Sequence, residues 1–256
     1  MVTTRLPGPL NVRPPASIDM STSPGTRIEV LAHRGWLNGR DPEHENLVAS
    51  LRHAAAAGFG VEFDVRRDVS GQLVLSHDPV PWSPERDALS FLTDPPGDHL
   101  HALNVKDPAA VILTLDVLER AGTTDRFMFF DFELACADAG AAAALAATAA
   151  RRGARVARRL SDREPVLADI VADTDCRHVW LDEFDGPWAD RECLARLRSA
   201  GKFVWYVSPE LHRPAPVTDL IPRWQQLLAW GARGVCTDYP VAFAAHLRTA
   251  HPRRDS

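Results

Sequence analysis

Two carboxylates two residues apart, Glu62 and Asp64, interrupt an otherwise apolar run from Val61 to Val65. Side chains alternate along a strand, so both carboxylates face one side while Val61, Phe63 and Val65 face the other. Ionised carboxylates that close repel each other unless a cation lies between them, and oxygen-only ligands favour a hard cation, Mg²⁺ or Ca²⁺. The alternative is a strand whose polar face is simply solvated. Two neighbouring runs also end in reactive groups: Ile28 to Ala32 stops at His33-Arg34-Gly35, and Leu73 to Leu75 stops at Ser76-His77-Asp78. In a parallel α/β fold such groups gather at the carboxyl ends of strands, around a common mouth.

The elements that must position these groups follow from periodicity. Asp41-Pro42 reads as the start of a helix with an apolar stripe at Leu47, Leu51 and Ala54, stopped by Gly58. Strand Val61 to Val65 turns at Ser70-Gly71 and returns over Leu73 to His77, too soon for a crossover helix, so the pair should be an antiparallel hairpin. Pro79 to His101 reads as an irregular insertion over the mouth. Strand Leu103 to Lys106 follows, then a helix opened by Asp107-Pro108 that ends near Gly122. Further strands are expected at Phe127 to Phe132, Arg155 to Arg159, Val179 to Asp182, Phe203 to Val207 and Gly234 to Thr237. Helices fall between them at Cys136 to Arg152, Arg163 to Asp173, Trp188 to Ala200 and Asp219 to Trp230.

Without the returning hairpin arm this gives about eight strands, the number that closes a TIM (β/α)8 barrel with a β-hairpin and a short insertion over its C-terminal mouth. An open doubly wound sheet is the second choice, and no Gly-x-Gly-x-x-Gly turn supports it.

The chain has 256 residues, 45% hydrophobic and 25% charged, with net charge −5. That fits one barrel domain over residues 27–256, preceded by a Pro-, Ser- and Thr-rich extension over residues 1–26 expected to be loose. The negative balance argues against sequence-independent nucleic-acid binding and for a small-molecule substrate. No apolar stretch is long enough for a membrane span, and no secretory signal is evident, so cytoplasmic residence is expected. Cys136, Cys176, Cys193 and Cys236 lack metal-ligand spacing and read as isolated thiols. No signal for an oligomeric state is present.

His33-Arg34-Gly35, Glu45-Asn46, Glu62-x-Asp64 and His77-Asp78, in this order, resemble the glycerophosphodiester phosphodiesterase family of the PLC-like phosphodiesterase superfamily. The match is dense over residues 28 to 79 and thinner through Lys106 and Thr237-Asp238-Tyr239-Pro240. The resemblance implies a metal-dependent TIM barrel in which His33 and His77 act as general acid and base. In-line displacement at phosphorus needs such a pair, one group activating the attacking oxygen and one protonating the departing oxygen. Arg34 would hold a phosphate oxygen, Gly35 would let backbone approach, and Lys106 would face the phosphate as a point charge. Glu62 and Asp64 match the family's ligands for one divalent cation, Mg²⁺ or Ca²⁺. Glu45 matches a third acidic position, or else serves the dipole of the helix expected there; Asn46 is undecided in the same way.

The chain departs from the family in carrying Asn104-Val105-Lys106 where Glu-x-Lys is common, as if it belonged to a distinct branch. Asn104 can offer an amide oxygen but no charge, so another acid is needed. Asp131 is the candidate, on the same face as Phe129; a helix cap or salt bridge is the other reading of it. Asp182, Glu210 and His212 lie at late strand ends, where they either read the alcohol part of a substrate or are exposed loop residues. The expected activity is phosphoric diester hydrolysis, releasing an alcohol and a phosphomonoester. Its rivals are another metal-dependent barrel hydrolase, disfavoured by the missing His-x-His, and a barrel that binds phosphorylated ligands with weakened catalysis.

Overall fold

The alternation of apolar strands with amphipathic helices closes on itself in the computed structural model, in which residues 28–164 and 166–250 are described. The expected extension over residues 1–26 lies outside them. In chain order the elements are β1 (Glu29–His33), α1 (Val48–Ala56), β2 (Gly60–Arg67), β3 (Leu73–Leu75), α2 (Ala88–Leu92), β4 (His101–Val105), α3 (Pro108–Ala121), β5 (Phe127–Phe130), α4 (Phe132–Ala135) and α5 (Ala139–Arg151). They continue with β6 (Arg155–Ser161), α6 (Leu167–Ala172), β7 (His178–Asp182), α7 (Arg191–Ser199), β8 (Phe203–Val207), α8 (Val217–Trp230), β9 (Gly234–Thr237) and α9 (Pro240–Ala250).

The sheet runs β1-β9-β8-β7-β6-β5-β4-β2-β3 and is closed by pairing of β1 with β2. Every ring contact is parallel, and β3 alone pairs antiparallel, with β2, in the register Val65↔Leu75 and Arg67↔Leu73. The result is a (β/α)8 barrel with one extra hairpin at its carboxyl end.

Alternation along the strands sorts the core into two layers. Val61, Phe63 and Val65 join the outer cluster beneath the helices, as expected. Inside the ring, Leu31, Ala102, Phe130, Ala157, Trp180, Trp205 and Cys236 form a packed floor. Two residues further along that inward face, β1, β4, β6, β7 and β9 lead to His33, Asn104, Arg159, Asp182 and Asp238. These five strands therefore pass from an apolar floor to a polar mouth. At the amino end of the ring packing is tight: a Cβ on Gly234 would lie 2.2 Å from the Trp205 ring, and one on Gly60 would lie 2.3 Å from the Leu100 carbonyl oxygen.

Three local expectations are corrected. Asp41-Pro42 does not open α1, which starts at Val48 after Leu47 with no side-chain cap; Glu45 and Asn46 are loop residues tied to other partners. The insertion after β3 is not wholly irregular, since it contains a single 3₁₀ turn at Pro84–Arg86 and helix α2, capped by Asp87. Strand β5 stops at Phe130 because Asp131 adopts a left-handed backbone (φ 68°), and Phe132–Ala135 forms one helical turn. The helix over Pro108–Ala121 behaves as expected, with Asp107 accepting from the Ala109 N–H and left-handed Gly122 ending it. Among the described residues, no helix is long and apolar enough to cross a membrane.

Candidate active site

The mouth holds a cavity of about 300 Å³ lined by His33, Arg34, Glu62, His77, Asn104, Lys106, Asp131, Asp182 and His212, among others. These nine come from seven different parts of the chain, most of them at or just past the carboxyl ends of strands, with Glu62 inside β2 and His212 in the loop after β8. Asp64, two residues along β2 from Glu62, is almost fully buried. Glu45, Asn46 and Glu210 do not line the cavity; Glu45 braces Arg34, which does, while Asn46 braces Asp64 and Glu210 braces the loop that carries Asp238.

On the near wall, His33 and Glu62 are neighbours across the β1–β2 ladder, and Asp64 and Asn104 across β2–β4. His33 Nδ1 lies 2.6 Å from Asp238 Oδ1, which leaves Nε2 toward the cavity, 3.8 Å from Glu62 Oε2. Burial opposes a charged imidazole, but the Asp238 hydrogen bond and the charges of Glu62 and Asp238 outweigh it, so the His33 pKa is raised. Asp238 is held in turn, because its backbone N–H donates to Glu210 Oε1 at 3.1 Å and Thr237 Oγ1 bonds the same oxygen. Glu210 is thus a buckle on the β9 loop rather than a reader of substrate.

Arg34 follows His33 in a left-handed conformation (φ 50°). Gly35 is left-handed too, and a Cβ there would meet the Leu51 backbone nitrogen at 3.0 Å, so only glycine lets this loop pass so close to α1. Arg34 Nη1 donates to Glu45 Oε2 at 2.8 Å, and its Nε lies 3.3 Å from Asp64 Oδ2 without an aligned hydrogen bond. Asn46, also left-handed, donates to Asp64 Oδ2 at 2.8 Å and accepts from the Asp64 N–H at 3.0 Å. Lys106 Nζ completes the surroundings of Asp64, 3.4 Å from Oδ1.

Glu62 is less well supplied. Its contacts are the Arg34 N–H at 3.4 Å and His33 at 3.8 Å. Burial first, and the Asp64 charge second, push its pKa up to about 7, against the pull of His33, Arg34 and Lys106. Asn104 Oδ1 is buried with no hydrogen-bond partner. The Glu62 carboxylate and the orphaned Asn104 amide oxygen offer oxygen acceptors that fit a hard cation, whereas Asp64 already faces Arg34 and Lys106 and could join them only as those cations turn to another anion. Among the described residues no three His, Cys, Asp or Glu side chains are grouped to hold a metal; this set has two carboxylates and one amide.

His77 sits on the returning arm of the hairpin, where the inference from topology placed it. Its ring is 40% exposed and, among the described residues, is bonded to exposed Asp78 at 3.0 Å, while Arg66 Nη1 donates to its backbone carbonyl at 2.8 Å.

The far wall is built differently. Strand parity would send Asp131 outward with Phe129, which packs in the outer layer, but the left-handed turn brings it back to the cavity. There Arg159 Nε donates to Asp131 Oδ1 at 3.0 Å, so this carboxylate, expected to supply a metal ligand, has an arginine partner through that oxygen. Arg159 Nη1 also lies 2.7 Å from Asp182 Oδ2, and Asp182 Oδ1 lies 2.7 Å from His212 Nε2. Asp238 and Arg159 are the two residues sequence reasoning missed. Both carry the same signal, a charged side chain in step with inward apolar residues, Cys236 and Ala157.

No sequence-family profile matches the chain, and no curated protein matches it by sequence. Solved structures do match its shape. One is a glycerophosphoryl diester phosphodiesterase from Parabacteroides distasonis, with TM-score 0.62 and 15% identity over 93% of each chain. Another is a candidate glycerophosphodiester phosphodiesterase from Galdieria sulphuraria, with TM-score 0.66 and 15% identity, covering 88% of this chain and 99% of that one. The chain has their fold. A candidate glycerophosphoryl diester phosphodiesterase from Agrobacterium tumefaciens adds a third match, with TM-score 0.61 and 18% identity over 89% of this chain and 99% of that one.

Proposed function

We propose that this barrel is a metal-dependent phosphodiesterase that cleaves a glycerophosphodiester or a related phosphodiester to an alcohol and a phosphomonoester. The observation that carries it is the convergence of His33, Arg34, Glu62, Asn104, Lys106 and His77 on one cavity, with His33 oriented by a buried carboxylate. Likeness of fold to the phosphodiesterases above supports the reading, as do the motifs shared with their family.

In this reading Arg34 and Lys106 bind the two non-bridging phosphate oxygens, and neither cation needs to move far, because Asp64 already fixes both. His33, held at Nδ1 by Asp238, exchanges a proton at Nε2 with one of the in-line oxygens. His77 serves the other from above. Glu62, Asp64 and Asn104 would hold one divalent cation, Mg²⁺ or Ca²⁺, with Asp131 able to add only the oxygen that Arg159 leaves. When bound, that ion supplies Lewis acidity to the phosphoryl group. The attacking oxygen is water or a substrate hydroxyl, and a cyclic phosphate detected by phosphorus NMR identifies the second. Four unpaired cysteines agree with a cytoplasmic setting.

The test is a panel of phosphodiesters assayed with and without chelator, on wild type, His33→Ala and Glu62→Ala. Turnover lost with chelator, restored by Mg²⁺ or Ca²⁺ and absent from both variants supports the proposal. Turnover that persists in both variants overturns it.

A further inference from the structure

Of the arginines and lysine that line the mouth, one is left over. Arg34 and Lys106 face Asp64, and Arg159 donates to Asp131 and lies against Asp182. Arg40 lines the same cavity but makes no ion pair and no side-chain hydrogen bond among the described residues. Its exposed guanidinium stands over the Trp36 ring, 5.9 Å from the centroid.

The backbone beneath this cation is fixed on both sides. Gly39 donates its N–H to the Asp238 carbonyl at 2.8 Å, and the Trp36 indole donates to the Asp41 carbonyl at 2.7 Å. Gly39 is left-handed, and a Cβ there would come within 2.7 Å of the Tyr239 ring, so the loop is packed as well as bonded. Arg40 is also a wall of a second cavity, of about 710 Å³, between the β1–α1 loop and α1, whose other walls include Trp36, Asn38, His44 and His53. The two cavities meet at this side chain. Asp41, the carboxylate of the second cavity, is 2.8 Å from His44 Nδ1 and is not paired with Arg40.

We propose that Arg40 binds a second acidic group, a carboxylate or a phosphomonoester, carried by one alcohol of the phosphodiester; the proposal rests on the phosphodiesterase reading above. In that reading Arg34 holds the reacting phosphate, and its guanidinium carbon lies 6.0 Å from the same Trp36 centroid. The two guanidinium groups are therefore at most about 12 Å apart, and with each oxygen at hydrogen-bond distance the acidic ends of a three-carbon alcohol reach both. Arginine suits the task, because its planar fork meets two oxygens of one carboxylate or phosphate together. A loop that already holds the cation at the rim also lowers the cost of ordering it around an anion. A quaternary ammonium at the same place would meet like charge.

Calorimetric titration, with Mg²⁺ matched in both solutions, reads this contact. The probes are glycerol 3-phosphate, 3-phosphoglycerate, glycerol 1,3-bisphosphate and phosphocholine, and the proteins are wild type and Arg40→Gln. On wild type at least one doubly acidic probe should bind roughly tenfold or more tighter than both glycerol 3-phosphate and phosphocholine, and Arg40→Gln should cut this preference by about fivefold or more. Whether 3-phosphoglycerate or the bisphosphate gains more distinguishes a carboxylate from a phosphomonoester. A smaller preference, one that favours glycerol 3-phosphate or phosphocholine, or one that survives Arg40→Gln would overturn the proposal. The exposed position of Arg40 lets the variant fold as wild type does, which its melting temperature checks. Wild type that hydrolyses diesters without this preference loses the second contact and keeps the phosphodiesterase reading; the preference without hydrolysis of any diester overturns that reading and leaves the anion contact standing.

Discussion

Two buried histidines mark the two ends of the barrel and behave in opposite ways. His33, at the carboxyl end of β1, lies between Asp238 and Glu62 and has its pKa raised. His101, the first residue of β4 at the amino end, accepts a hydrogen bond from the Val61 N–H at 3.3 Å, and burial, followed by the charge of Arg126, lowers its pKa to about 3. Both rings are removed from water. The difference lies in the company: carboxylates keep one imidazole basic, while aromatic neighbours Phe91 and Phe127 leave the other neutral. One end of the molecule spends stability to hold charges, and the other is packed for stability alone.

The strongest way to break this comparison is to remove a group from each end and ask what is lost. His33→Ala should reduce phosphodiester turnover by roughly 10³ to 10⁴-fold, equivalent to about 4 to 5.5 kcal/mol of transition-state stabilisation, with little change in melting temperature. Steady-state kinetics beside scanning calorimetry reads both quantities; a large drop in melting temperature would place His33 in the structural class.

At the other end the expectation inverts. Gly234→Ala drives a methyl into the Trp205 ring and should cost about 3 kcal/mol, a fall in melting temperature of roughly 6 to 12 °C for a domain of this size. Activity per folded molecule should hold. Full stability in this variant would show that the floor yields more easily than its contacts indicate.

Asp238→Asn sharpens the contrast within the mouth. Removing that charge lowers the His33 pKa, so the limb of the pH–rate profile that reports His33 should move to lower pH, and kcat/KM should fall about 10 to 100-fold, or 1.4 to 2.7 kcal/mol. An unmoved profile would assign the limb to a different group.

The smallest effect is at the base and depends on pH. The folded-state pKa of His101 lies below its unfolded value, so the unfolded chain takes up the proton first. Its stabilisation is complete above about pH 6.5 and is lost as pH falls toward 3. Between pH 7 and 5 this amounts to roughly 1 to 2 kcal/mol, and urea denaturation of His101→Gln should show a correspondingly flatter decline.

The ring, its hairpin and most of the near wall were legible in the sequence because their signals are local. Glu62 and Asp64 share a face by strand alternation, and His33 and His77 stand directly at strand ends, so no distant contact is needed to find them. The far wall was legible only in part: Asp131, Asp182 and His212 were named from their places at strand ends, but Arg159 and the ion pairs that join them were not, for the converse reason. Asp131 reaches the cavity only through a left-handed backbone that reverses strand parity, and its partner Arg159 is 28 residues away. The start of α1 was misread on similar grounds. Asn46 bonds Asp64 on β2 and Glu45 bonds Arg34, and those tertiary ties hold the segment out of the helix that Asp41-Pro42 advertises.

The hairpin bears on how a protein of this build can diverge. Each ring strand is locked by two neighbours, and a slip of one residue would turn its inward face outward. Strand β3 has β2 along one edge and a single bridge to Asp87 on the other, and its tip is an Asp68-centred turn open to solvent. Residues can be gained or lost at that tip without disturbing the ring, and the Val65↔Leu75 register at the base of the hairpin keeps His77 in place over the opening. Lineages descended from such a chain therefore have one stretch where length can vary while the barrel beneath is inherited intact.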